Sequence, residues 1–347
     1  MGLFSKLFGG NASKPEDSVS EMDVSVSVAE LSAALESSNG GLRIDALAML
    51  SERARESGDA EAIEAIAAHW PKLLTDSEEL VRQRALSLTA IVPASADRES
   101  ALLPLLDDSV AAVRTAAVWA VARASKSPSP ILVAHLHDPS PQTRFAVAAA
   151  LAQLGDSSGF EELALALDEP AARLEALQAL GNLGDARALA PLTALFERTM
   201  LDEMDRVQCA GALARLGDSA GKEHLLRALE ENGESAPFAA GWAGDLGILE
   251  AVPLLEALAD EVESPARGAS LHALGALRAP GAEARLLRVL SSDDGEESAA
   301  RLDAAEGLAL IGTPTARSAL EEAAGRTQDD EVRAGLEDIL SELEKVS

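Results

Sequence analysis

The chain contains no tyrosine, a single cysteine and an aromatic fraction of only 3%, and lysine is scarce among its cations. Each scarcity excludes something. With Cys209 alone, neither an internal disulfide framework nor a cysteine metal cluster can form, and a cytoplasmic chain is the simplest reading. No apolar run approaches the ~18 residues of a membrane span. The N-terminus also lacks the long apolar core and small-residue cleavage site of a secretory signal. Basic residues number 29 against 58 acidic ones, a net charge of −29. A surface of that sign repels phosphate backbones, which supply most nucleic-acid affinity, so no nucleic-acid partner is expected.

What the chain does have is alanine and leucine, which carry most of its 47% apolar content and favour closely packed helices. It also has a period. An arginine recurs at Arg43, Arg82, Arg114, Arg144, Arg173, Arg206, Arg267, Arg301 and Arg333, mostly at steps of 29 to 34 residues. Between Arg206 and Arg267 the step doubles. A unit still lies there, because Leu246-Gly247 repeats the ending seen at Leu154-Gly155 and Leu183-Gly184, and counting back ten residues reaches Ala236 in place of the arginine.

Offsets +3, +4, +7 and +10 from the Arg144, Arg173, Arg206 and Arg301 slots are apolar or small, as in Val147, Ala148, Leu151 and Leu154, which makes one buried helical face. Glycine after the last leucine suits a left-handed helix end, and Asp156, Asp185 and Asp218 then stand where they can cap the next helix. Each unit is therefore two antiparallel helices. Such a pair cannot bury both faces alone, so neighbours must stack.

The pairs Asp76 and Arg82, Asp108 and Arg114, and Asp138 and Arg144 keep a six-residue offset ahead of small and apolar residues, and the Arg144, Arg173 and Arg206 units close on Leu-Gly-Asp. This pattern resembles HEAT-like repeats of the phycobilin-lyase type over about Leu42 to Val346. The resemblance implies an all-α, right-handed α-solenoid of about nine or ten two-helix repeats. It also implies that Asp76, Arg82, Asp108, Arg114, Asp138, Arg144, Arg173, Arg206, Arg267 and Arg301 form a structural ladder between repeats, and that the arginine-bearing helices line the concave face. The expected organisation is a flexible acidic tail over residues 1–28, with a short amphipathic tip at Met1–Phe8, followed by a solenoid over residues 29–347.

No catalytic constellation emerges. Cys209 occupies the +3 core slot, where a thiol is a small apolar residue rather than a nucleophile. His135 and His137 are two residues apart, on different faces of a helix, and no second ligand pair accompanies them, so no metal is expected. The His-Glu pairs that hold iron in deoxyhypusine hydroxylase, an enzyme of similar fold, are absent. No cofactor is expected, and an enzyme is the less favoured reading. HEAT-like DNA glycosylases use a basic groove, which this charge opposes.

The concave face remains the place for function. Offset +5 leaves the buried set and varies from unit to unit, with Trp119, His272 and Glu306 among its occupants; Trp242 stands one position further on and Phe145 one turn earlier. The leading expectation is a non-enzymatic scaffold or adaptor. Its acidic groove would steer a basic partner segment, with Trp119, Phe145 and Trp242 as apolar anchors and His272 and Glu306 beside them. Two alternatives stand next to it: a chromophore or cofactor lyase or its chaperone subunit, resembling phycobilin lyases, and a membrane-associated assembly factor docking through residues 1–8.

Overall fold

The computed structural model describes residues 26–56, 58–94, 98–124, 130–292 and 298–346. The expected tail tip at Met1–Phe8 and most of the acidic loop after Ser292 lie outside the described residues. All regular structure in the described residues is helical, with twenty α-helices joined by short turns and 3-10 segments. The contacts gather into two compact units, one ending at Leu183 and one beginning at Gly184.

In the first unit, α1 (Val28–Ala34) precedes five arginine-bearing helices: α2 (Gly40–Glu56), α4 (Glu79–Ser87), α6 (Ala111–Ala124), α8 (Pro141–Gln153) and α10 (Pro170–Leu183). Between them run the second helices α3 (Ala60–Leu73), α5 (Arg98–Leu102), α7 (Pro130–Ala134) and α9 (Phe160–Ala166). Successive arginine-bearing helices pack side by side, and each second helix packs against the arginine-bearing helix that follows it. That is the stacking of an α-solenoid. Its core runs from Val28 to Leu151 and includes Leu47, Ile66, Val81, Val113 and Val147.

The second unit repeats the plan. Its first helices are α12 (Glu203–Arg215), α14 (Ala236–Leu246), α16 (Arg267–Ala276), α18 (Ser298–Ile311) and α20 (Asp330–Val346). The second helices are α11 (Leu189–Phe196), α13 (Ser219–Glu231), α15 (Val252–Asp260), α17 (Ala282–Leu290) and α19 (Pro314–Arg326). A separate core runs from Val207 to Leu336.

Local chemistry sets the helix ends. The Ser27 hydroxyl accepts from Glu30 N while the Glu30 carboxylate accepts from Ser27 N, a reciprocal cap on α1. Ser140 caps α8 and Pro141 takes its first turn, where a missing N–H costs nothing. At the other end, Gly155 has φ +78° and the Asp156 N–H reaches back to Leu151 O at 2.9 Å, a left-handed termination that a side chain would strain. Asp156, Asp185 and Asp218 then accept from the N–H two residues on and open the next helical segment. The unit lacking its arginine is intact: α14 starts at Ala236 and ends on left-handed Gly247.

Candidate functional site: an aromatic groove with an acidic rim

The repeating arginines act first on the backbone. Arg82, Arg114, Arg144 and Arg173 each donate to the carbonyl six residues earlier, fixing the turn that leads into their own helix. In the first three repeats the guanidinium then reaches across to the next repeat. Arg43 grips Asp76, Arg82 grips Asp108 and Arg114 grips Asp138, each through Nε and Nη2 at 2.6 to 2.9 Å. Each aspartate also accepts from a backbone N–H two residues on, so one carboxylate joins two turns.

These pairs are covered rather than exposed: side-chain exposure is 12% for Arg114 and 3% for Asp138. Hydrogen bonds from Arg114 hold the Asp138 carboxyl below its usual value against the opposing effect of burial. Burial pushes Asp76 and Asp108 upward, yet hydrogen bonds from Arg43 and Arg82 and from backbone N–H groups leave both lowered.

The fork then stops. Arg144 turns to Glu162 within its own repeat, Nε to Oε1 2.9 Å. Arg206 donates to Phe196 O and Arg198 O, Arg267 is buried with Nε directed at Ala259 O, and Arg301 reaches Thr327 Oγ1 only at 3.5 Å.

Where the fork ends, a groove of about 850 Å³ opens across α6, α8, α9 and α10. Trp119 and Phe145, one on each of two adjacent first helices, are both half-buried and line it together with Leu165, which is 66% exposed. The Trp119 indole N–H has no hydrogen-bond partner among the described residues. The rim carries Glu162, Asp168, Glu169 and Glu175 against the single cation Arg144. Desolvation by the surrounding protein holds the Glu175 carboxyl above its usual value, so an approaching cation would favour its ionised form. The arrangement offers apolar surface for a bulky side chain, an indole donor for a backbone carbonyl, and carboxylates for a cation. Nothing in it supplies a nucleophile with a base.

The other expected anchors lie elsewhere. Trp242 is 4% exposed, so it is not an exposed anchor: its indole lies over Gly211 so closely that a Cβ there would meet ring atoms at 2.1 to 2.5 Å. Its Nε1 donates to Gln208 Oε1 at 3.0 Å, and the Arg215 guanidinium stands 5.0 Å from its ring centre. Trp242 therefore fills space that a glycine in the neighbouring repeat leaves open. His272 on α16 and Glu306 on α18 are half-buried in the second unit, and burial lowers the His272 imidazole below its usual value. The structure thus brings Trp119 and Phe145 together and leaves Trp242, His272 and Glu306 out of their groove. The acidic rim was not picked out from the sequence. Its signal was available: Glu162, Asp168, Glu169 and Glu175 cluster within 14 residues, on the second helix of the Phe145 repeat and the start of the next one.

Cys209 is fully buried, its Sγ 3.3 Å from Leu192 O, and desolvation pushes the thiol up to about 12. Among the described residues no group of three His, Cys, Asp or Glu side chains could hold a metal ion, and no helix is long and apolar enough to cross a membrane.

Comparison with known proteins follows the same lines. The family of HEAT repeats matches residues 99–169, 128–204 and 251–341, together more than half of the chain, and the PBS lyase HEAT-like repeat matches residues 205–231. No curated protein matches. Among solved structures, Escherichia coli YibA is 19% identical, with 74% of this chain and 93% of that one covered and a TM-score of 0.47. The CpcE–CpcF complex of phycocyanin lyase from Nostoc is 19% identical, with coverage of 95% and 99% and a TM-score of 0.35. Human deoxyhypusine hydroxylase is 20% identical, with coverage of 87% and 99% and a TM-score of 0.29. At these identities and scores the likenesses carry no functional weight.

Proposed function

The chain belongs to the HEAT-repeat family, and from that premise we propose that it is a non-enzymatic scaffold or adaptor whose partner is a basic, extended protein segment seated in the Trp119–Phe145 groove. One observation carries this reading: two half-exposed aromatic rings share a groove whose charged rim is four carboxylates to one guanidinium. Aromatic side chains in a partly desolvated groove dominate interface energies, and carboxylates around them select a cationic partner and speed its encounter. A volume of about 850 Å³ accommodates two or three side chains of an extended segment rather than a folded domain. Leu165, standing well into solvent, would gain an apolar neighbour on docking.

The test uses full-length protein and a fluorescein-labelled peptide in which arginines flank a phenylalanine, read by anisotropy. Wild type binds. Trp119→Ala with Phe145→Ala weakens binding at least tenfold, and Glu169→Lys with Glu175→Lys does the same while removing most of the salt dependence. Far-UV circular dichroism shows both variants folded. Equal affinity for wild type and the aromatic double variant would overturn the reading.

A further inference from the structure

A second groove, of about 480 Å³, lies between α2 and α4, and its chemistry is inverted. In a chain of net charge −29 its only charged lining residues are two arginines, Arg55 and Arg84, with no carboxylate. Both are exposed, and neither has an ion-pair or hydrogen-bond partner among the described residues. That departs from their neighbours: Arg43 and Arg82, on the same two helices, are committed to Asp76 and Asp108. The Gln83 amide adds donors that are likewise unpartnered among the described residues. Ser51 is buried, with its hydroxyl given to Ala48 O. Ile44 and the exposed Leu80 supply an aliphatic shelf.

We propose that this groove is a docking site for an acidic segment of a partner protein, one that carries aspartate or glutamate beside an aliphatic residue. The argument is charge complementarity. Two full positive charges face the groove, whereas the C-terminal halves of α2 and α4 bring only about −0.5 each. The lining of this groove is therefore cationic on a chain whose acidic residues outnumber its basic ones by two to one, which favours an acidic segment here over the rest of the surface. Guanidinium forks match carboxylates in geometry, and the Ile44–Leu80 shelf favours a segment with an aliphatic side chain over a bare anion. A nucleic acid would have to bring a phosphate backbone against the rest of a strongly acidic surface. The assignment stands apart from the aromatic groove, which selects the opposite charge on different helices.

The probe is a fluorescein-labelled peptide with glutamates flanking a leucine, titrated into full-length protein, with a second peptide in which every glutamate is glutamine. The glutamate peptide should bind and weaken steeply with added salt, while the glutamine peptide binds at least tenfold more weakly. Arg55→Glu with Arg84→Glu should abolish binding. The milder Arg55→Gln with Arg84→Gln should weaken it about tenfold with unchanged circular dichroism. Glu169→Lys with Glu175→Lys, at the other groove, should leave it no weaker. Failure of wild type to bind, or binding that survives the loss of both arginines, overturns the proposal. So does binding that appears only once Glu16, Asp17, Glu21 and Asp23 have been neutralised, because the occupant would then be this chain's own acidic stretch.

Discussion

The two units join their repeats by different means. In the unit ending at Leu183, the turns are tied by guanidinium forks from Arg43 to Asp76, Arg82 to Asp108 and Arg114 to Asp138. In the unit beginning at Gly184, Arg206, Arg267 and Arg301 reach backbone or hydroxyl oxygens among the described residues, and the helices approach closely. A Cβ on Gly275 of α16 would fall 2.4 to 2.7 Å from the Gly307 backbone of α18, one on Gly211 would strike the Trp242 indole, and one on Gly244 would press on Ala273. The same two-helix repeat can thus be stacked through directional charge at its turns or through close backbone contact along its helices. The first tolerates bulk along the helix face, as Trp119 and Phe145 show. The second admits bulk where a facing glycine makes room, as Gly211 does for Trp242.

Breaking the close contact should have the largest effect. Gly275→Ala improves helix propensity by about 1 kcal/mol. It also drives a methyl group into backbone that cannot rotate away, so a net loss of about 3 kcal/mol is expected in urea unfolding. Next comes the fork. Arg114→Ala leaves the covered Asp138 carboxylate without its partner and should cost about 2 kcal/mol, less than the 3–5 of a deeply buried pair because solvent is close. Arg114→Met with Asp138→Leu should recover much of that loss, and a double-mutant cycle measures it.

The smallest effect is one of pH. Asp303 packs on Gly268, and burial, only partly offset by Arg267, raises its carboxyl to about 6. Ionised, it opposes folding; protonated, it does not. Asp303→Asn should therefore stabilise the second unit by about 1–2 kcal/mol at pH 7.5, with the advantage shrinking as pH falls through 6 and vanishing near 4. The fork aspartates have the opposite sign. Their carboxyls are lowered, so the stability they give is present above about pH 4 and is lost as pH falls through their folded values. Thermal melts of Asp303→Asn and Asp138→Asn across pH should move in opposite directions against wild type.

Much of this architecture was legible in the sequence because repetition averages out local ambiguity. The arginine slot, the Leu-Gly ending and the capping aspartates recur often enough to fix both helices of each unit, including the one at Ala236 without its arginine. What was not legible depends on two repeats at once. Trp242 reads as a free aromatic until Gly211, in the preceding repeat, is seen to hold its ring. Gly275 and Gly307 look like ordinary helix glycines until they are seen to face each other. At the aromatic groove, Trp119 stood out at a position that varies between repeats, and Phe145 as an aromatic in a chain with only 3% aromatic residues. Arg55 and Arg84 passed unnoticed because they fall outside the repeating slot, and their lack of partners is visible only in three dimensions.

The most direct measurement uses the chain's own indoles. Trp70 and Trp242 are 3% and 4% exposed, so Trp119 alone is open to solvent. Titrating full-length protein with the arginine–phenylalanine peptide while following tryptophan emission and acrylamide quenching should shift the emission and shield the quenchable fraction. Trp119→Phe should abolish both signals. A shift that persists in Trp119→Phe, or binding that leaves Trp119 as open to quencher as before, would contradict a basic segment seated in this groove.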